Sequence, residues 1–429
     1  MRTALRIENK QYRIQKTKLL DNLALVDGIK QIIGNNVIRW YISKVEEDYI
    51  AIEATLYKDD FSELYQSVET EYYPQKSVVI NLVPTGIGCS IGGYAGDATP
   101  AANLLASTVD YLVTNPNTVN ASNFINLKDN VVYAEGHSID LFSQGLVNFY
   151  LPYGNKVGLI IERSEDWKLD ILFNVINAVR SIYGVPILDP IVTEEQIYSR
   201  CIQNEAGAFV GTVDNPEVLL NASQELVKKG ANAIAITTNV QDLPSELYAK
   251  HFRGECPNPV GGVEAIMSHL IMKKFQIPAA HAPLMNIKDL DLKENVVDAR
   301  GAGEMASASG LACILVGLHK APQIKRQTTM RVADLININN VLAVVMPATC
   351  LGGVPVLQAQ KYNIPVIAVH DNQTILDVSA SKLKLDNAIA VKSYAEAAGI
   401  ILALKNGINL ASLHRPLETL GLPNRNHGY

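Results

Sequence analysis

Pro84-Thr-Gly-Ile-Gly-Cys-Ser-Ile-Gly-Gly-Tyr-Ala-Gly-Asp97 follows an apolar run at 77–83 and precedes an alanine-rich run at 98–106. An apolar β-branched run, a glycine loop and a helix-forming run, in that order, open a βαβ unit. Gly86, Gly88, Gly92, Gly93 and Gly96 permit left-handed backbone and close approach, so several N–H groups can converge where the following helix is positive. The stretch reads as an anion cradle made of Thr85, these glycines and Asp97. Its spacing departs from the dinucleotide fingerprint, because Cys89-Ser-Ile intervenes between Gly86-Ile-Gly88 and the next glycine pair, and no Lys-Ser/Thr follows as a P-loop requires. A tight turn capped by Asp97, with Pro100 in the first helical turn, is the plainer use of the same residues.

Outward from this stretch, short apolar runs alternate with helical ones. Strands are expected at 78–83, 111–114, 157–161, 233–237, 342–346 and 366–369, and helices at 171–182, 216–229, 263–274, 304–318 and 394–404. That alternation predicts an α/β fold of two Rossmann-like lobes with mostly parallel sheets covered on both faces. Before it, a helical pattern at 18–33 and a hairpin pattern at 37–45 and 49–57 predict a small, tyrosine-rich α+β appendage. The expected organisation is an appendage over 1–75, a first lobe with the glycine loop over 76–200, a second lobe over 201–408 and a C-terminal arm over 409–429.

The 429 residues carry a formal charge of −6 and no large Lys/Arg cluster, which argues against a nucleic-acid footprint or a polybasic membrane anchor. No uninterrupted apolar stretch reads as a signal peptide or membrane span. The five cysteines are odd in number and lack CxxC spacing, which favours reduced thiols in a cytoplasm over disulfides or structural zinc. The expected partners are a small metabolite and further copies of the chain.

Ligands of open parallel sheets bind outside the carboxyl ends of the strands. Residues just past the apolar runs are Thr85 and the glycine loop, Asn115, Asn117, Asn120, Thr238, His281, Cys350, His370 and Asp371. Two segments look alike: Gly261-Gly262-Val leads through a helix to Phe275-Gln-Ile-Pro278 and His281, and Gly352-Gly353-Val to Tyr362-Asn-Ile-Pro365 and His370. Three- and five-residue spacings from proline predict that both histidines face the same side of their strands. Asp298-Ala-Arg-Gly-Ala-Gly-Glu304 brings Arg300, a bidentate clamp for a carboxylate or phosphate, close to Glu304.

For chemistry, His370 oriented by Asp371 is the first choice for proton transfer, with Cys350 and Glu304 as further candidates. Cys350 and Cys89 occupy glycine-bearing turns at expected helix starts, a setting that lowers a thiol pKa. Metal binding lacks a pattern: Glu264 and His269 are five apart, on different faces of a helix, and no HExxH or clustered His/Cys spacing occurs.

Pro84-Thr-Gly-Ile-Gly, Gly92-Gly-Tyr-Ala-Gly-Asp-Ala-Thr-Pro100, Asn115-Pro-Asn-Thr-Val-Asn-Ala-Ser122 and Gly261-Gly-Val-Glu-Ala-Ile-Met-Ser-His269 resemble a largely cyanobacterial family defined by one domain of unknown function. The resemblance covers most of the chain. It implies soluble cytoplasmic proteins with a shared site and supplies no reaction. Aspartate/glutamate racemases are set aside because their Cys-Asn-Thr signature is absent. The expectation is therefore a soluble enzyme acting on a small carboxylated or phosphorylated metabolite by proton transfer, as isomerase, lyase or hydrolase, in a cleft between lobes. The alternatives are a non-catalytic metabolite sensor or an assembly protein.

Overall fold

The computed structural model describes residues 6–15, 25–34, 36–58, 76–120, 126–241, 244–284, 296–306, 310–325 and 335–420. Its largest element is a six-stranded sheet in which every neighbouring pair is parallel, in the order Ala388–Val391, Val366–Val369, Val341–Pro347, Val78–Asn81, Tyr111–Thr114, Val131–Tyr133. The chain leaves this sheet after Tyr133 and returns at Val341 directly beside the strand it started from. Going outward from that central pair, one side follows the chain through 366 and 388 and the other through 111 and 131. The boundary between Val341–Pro347 and Val78–Asn81 is thus the topological switch point, where open α/β sheets form ligand crevices.

A second parallel sheet runs in the order Ala279–Pro283, Ala233–Thr238, Val157–Ile161, Ile191–Val192. Both sheets account for the uninterrupted apolar runs in the sequence, since strands covered on both faces have no solvent side on which to place polar residues. Val78 and Ile80 belong to one fully buried core and Val79 and Leu112 to another across the sheet. Each such side chain contributes about 1.5–3 kcal/mol on burial.

The N-terminal sheet is antiparallel, in the order Arg6–Gln15, Tyr49–Lys58, Val37–Val45. The hairpin is where the alternation placed it; the strand Arg6–Gln15 was not anticipated. The sheet is docked on the body: Ile42 N–H donates to Gly352 O at 3.1 Å, Lys273 Nζ to Val37 O at 2.8 Å and Asn9 Nδ2 to Gly211 O at 2.6 Å. Of the helix expected at 18–33, Leu25–Ile33 is present and 18–24 lies outside the described residues. The helix expected over 304–318 is described as two pieces, Ala302–Ala306 and Leu311–Lys320, with 307–309 outside the described residues. In the expected C-terminal arm a short 3-10 turn, Leu410–Leu413, is described and 421–429 is not.

Candidate functional site

A cavity of about 340 Å³ opens at the switch point. Its walls come from the carboxyl ends of four strands of the large sheet (Thr85, Asn115, Glu135, Cys350), from the edge strand Ala279–Pro283 of the second sheet, and from Arg39–Ile42 of the N-terminal sheet. One helix, Gly261–Phe275, supplies a whole wall. Its residues Gly261, Glu264, Ala265, Ser268 and His269 all line the cavity, a pattern of i, i+3, i+4, i+7 and i+8 that marks one helical face. The opposite face of the helix is apolar and buried, with Val263, Ile266, Met267, Leu270 and Ile271 at most 2% exposed.

Glu264 and His269 therefore share a surface, contrary to the expectation that five-residue spacing separates them. At about 100° per residue they sit about 140° apart, and the cavity wraps far enough round the helix to reach both.

Each of these two side chains is backed by a buried partner of the opposite kind. His269 Nδ1 lies 2.5 Å from Glu135 Oε1, and Glu135 is almost wholly buried. The other oxygen of Glu135 caps the helix Gly136–Ser143, accepting from Ser138 N–H at 3.0 Å. Gly136 makes room for the imidazole, since a Cβ there would stand 2.7 Å from His269 Cε1. In the second pair the order is reversed. His281 is buried, with Nδ1 3.3 Å from Glu264 Oε1 and Nε2 2.9 Å from Thr238 Oγ1, while the Glu264 side chain keeps 21% exposure. An imidazole held by a carboxylate and a carboxylate held by an imidazole thus face the same cavity.

A third acid, Glu304, is fixed by the glycine loop itself. Ala95 N–H donates to Glu304 Oε2 at 3.1 Å and Tyr248 OH to Oε1 at 2.7 Å, and His251 Nε2 lies 3.9 Å away. Burial pushes this carboxyl up, but His251, Tyr248 and the Ala95 N–H outweigh it and hold it below the ordinary carboxylate value. Other amides of the loop are also engaged within the protein: Ser90 N–H with Gln373 O, Ile91 with Asn372 Oδ1, Tyr94 with Asp97 Oδ1 and Gly96 with Asn117 O. Gly92, at φ 87°, packs so closely that a Cβ would lie 2.2 Å from Val83 Cγ1. The carboxylate received by this loop is one of the protein's own.

Of the sequence candidates, Thr85, Asn115, Asn117, Asn120, Gly261, His281, Glu304, Cys350, Gly352 and Gly353 line the cavity. Thr238 supports it through His281. Gly86, Gly88, Gly92, Gly93, Gly96, Asp97 and Gly262 are not part of its lining. The asparagines are bound into the fold: Asn115 pairs with both the N–H and the C=O of Val83, Asn117 donates to Gly92 O, and Asn120 accepts from Tyr133 OH. Arg300 does form a bidentate pair with a carboxylate, that of Asp298 in its own turn, and holds the acid down to about 2. It lies outside the cavity lining.

His370 and Asp371 are exposed and outside the cavity lining. The strand Val366–Val369 ends before His370, whereas His281 lies within Ala279–Pro283, so the similar spacings do not place the two histidines alike. Burial pushes the thiols of Cys350 and Cys89 up, opposite to the direction expected at a helix start. Residues not foreseen as site members are Glu135, Asp140, Glu264 and His269. The readable signal for the last two was a small and polar stripe along an otherwise apolar helix.

Burial pushes the Asp140 carboxyl up to about 7, with His269 and Lys30 opposing and Glu135 assisting. A raised carboxyl binds its proton more tightly in the folded state, so its contribution to stability is lost as pH rises from about 4 to about 7. Asp140→Asn is expected to melt like the wild type at pH 4 and to exceed it at pH 8 by about 2–4 kcal/mol. Denaturation midpoints across that range measure this, and parallel wild-type and variant curves would show that Asp140 carries no such shift.

Two covered parallel sheets, with an acid- and histidine-lined cavity at the switch point of the larger one, define a doubly wound α/β protein. The chain belongs to the family described as a protein of unknown function, DUF3326, whose model matches residues 78–414. It is 34% identical over 334 residues to a protein of a Synechococcus species named an uncharacterized lipoprotein, covering 77% of this chain and 92% of that one. The four strings that carried the resemblance lie inside the family match. So does every cavity residue above except Arg39–Ile42. No helix among the described residues is long and apolar enough to cross a membrane.

Proposed function

We propose that this chain is an enzyme that moves protons on a small polar metabolite held in the cavity, with Glu264 and His269 as its acid–base pair. The observation that carries this reading is the reversed backing of the two groups. Glu135 stands behind His269 at Nδ1, while His281 behind Glu264 fixes the carboxylate without occupying its cavity side. A binding site needs neither arrangement. Moving a proton between two atoms of a bound molecule needs an acid and a base presented from fixed positions, as this one helix provides. Isomerisation, elimination and hydrolysis all use such a pair. We keep the cytoplasm as the proposed compartment, on the odd and unclustered cysteines of the sequence.

The test begins with native mass spectrometry of the purified protein and denaturing extraction of whatever small molecule it carries. That molecule is then incubated with the enzyme in D2O and followed by proton NMR. Deuterium wash-in or a new product is expected. Saturable binding with neither change over hours would replace the enzyme by a metabolite sensor.

A further inference from the structure

The cavity is strongly unbalanced in charge. Glu135, Asp140, Glu264 and Glu304 line it, and among the described lining residues Arg39 is the only lysine or arginine. Arg39 comes from the strand Val37–Val45, outside the residues matched to the family. Its guanidinium is placed on the cavity wall by two contacts with uncharged groups: Nη1 donates to Gly262 O at 3.3 Å, and the group lies over the Tyr41 ring at 5.4 Å from the centroid. Among the described residues it forms no ion pair. The nearby Glu53 is buried and accepts from Gln11 Nε2 at 2.9 Å rather than from Arg39.

We propose that Arg39 binds a single carboxylate at one end of the substrate, so that the N-terminal sheet determines which metabolite the cavity accepts. This rests on the proton-transfer reading of the same cavity. One guanidinium matches one negative charge, and the second charge of a phosphate ester would stand unpaired among four acids. The glycine loop is the weaker competitor for the anion, because its Ser90, Ile91, Tyr94, Ala95 and Gly96 amides already donate within the protein. The geometry also sets a length. Arg39 touches the helix Gly261–Phe275 at Gly262, Glu264 lies in the same turn, and His269 lies seven residues on, about 10 Å along the axis. The substrate is then a monocarboxylate whose reacting carbons lie between its carboxylate and a polar far end.

The experiment uses the full chain and matched probes: ω-hydroxy carboxylates of about four to eight carbons, the range suited to a span of about 10 Å, with their carboxamides and phosphate monoesters. Titration calorimetry is expected to show the best carboxylate binding about 10- to 100-fold more tightly than its carboxamide, and more tightly than the phosphate ester. Arg39→Met should remove that preference, and Arg39→Lys should retain part of it. Equal affinity of carboxylate and carboxamide for the wild type, or a preference that survives Arg39→Met, overturns this proposal and leaves the proton-transfer reading intact. A preference for the phosphate ester overturns it in favour of a dianion. Failure of every probe to bind the wild type also overturns it. Loss of deuterium wash-in with the co-purified molecule is a separate result, which removes the proton-transfer reading. Should Arg39→Met fail to fold, the wild-type preference and the Lys variant still decide.

Discussion

Glutamine at Glu264 is expected to lower turnover by about 10²–10⁴-fold, the range lost when a positioned acid or base is removed. The substitution keeps the shape and can still hydrogen-bond His281, so the folded structure should persist and the ligand should still bind. Only the ability to accept and return a proton is removed. His269→Asn is expected to act in the same range, and Glu135→Gln to act through His269 by releasing its ring. Deuterium wash-in into the co-purified metabolite, measured beside the denaturation midpoint of each variant, checks this. Wash-in or product formation within about twofold of the wild type in well-folded Glu264→Gln would remove it from the chemistry, since even one general base at the weak end of its range exceeds that factor. The exposed His370 serves as the control, because alanine there should leave the rate unchanged if the cavity is where protons move.

The second large effect is structural. Alanine at Gly262 is expected to destabilise the protein by about 3 kcal/mol, the upper part of the range for overpacking a filled interior. A Cβ there would lie 2.3 Å from Phe209 O and 2.5 Å from Val210 Cα. Both are backbone atoms of the strand Phe209–Val213, which is itself hydrogen-bonded to Ser199–Gln203, so neither can move aside alone. Gly399, inside the helix Tyr394–Lys405, has nothing within 4 Å of its missing Cβ. Alanine there should stabilise by about 0.5–1 kcal/mol, through helix propensity and lost chain entropy. Urea denaturation of both variants separates the two roles of glycine. A mild effect at Gly262 would mean that the helix start slides away from the strand at little cost.

The position of Gly262 also explains why the paired glycines of the two similar segments stand where they do. A Cβ at Gly261 would meet Thr85 Cγ2 at 2.2 Å, and one at Gly352 would meet Ile42 O at 2.6 Å. At both helix starts glycine permits another segment to lie against the backbone: the glycine loop and a neighbouring strand at Gly261 and Gly262, the N-terminal sheet at Gly352. The sequence reading assigned these glycines to a ligand. Close approach within the protein accounts for Gly261, Gly262 and Gly352, whereas a Cβ at Gly353 would meet only Pro355 Cδ, at 3.7 Å.

What the sequence determined by itself was local. The β-branched runs at 111–114, 157–161 and 366–369 coincide with strands, because a strand buried on both faces must be apolar throughout and its ends must be polar or glycine. The switch-point rule then named Thr85, Asn115, His281 and Cys350 as residues near a crevice, and they line one. The tertiary structure alone decided which strands are neighbours. Nothing in the run at 341–347 records that it lies beside 78–81, since parallel pairing is made through backbone groups common to all residues and the connection spans hundreds of positions. The same holds for the chemistry. Glu135 and His269 are far apart in sequence and touch only because the helix Gly136–Ser143 starts beside the middle of Gly261–Phe275. His370, adjacent to an aspartate and so the more promising histidine as a string, lies past the end of its strand in solvent. A pair of residues becomes an acid–base device through burial and orientation, and those are properties of the packed chain.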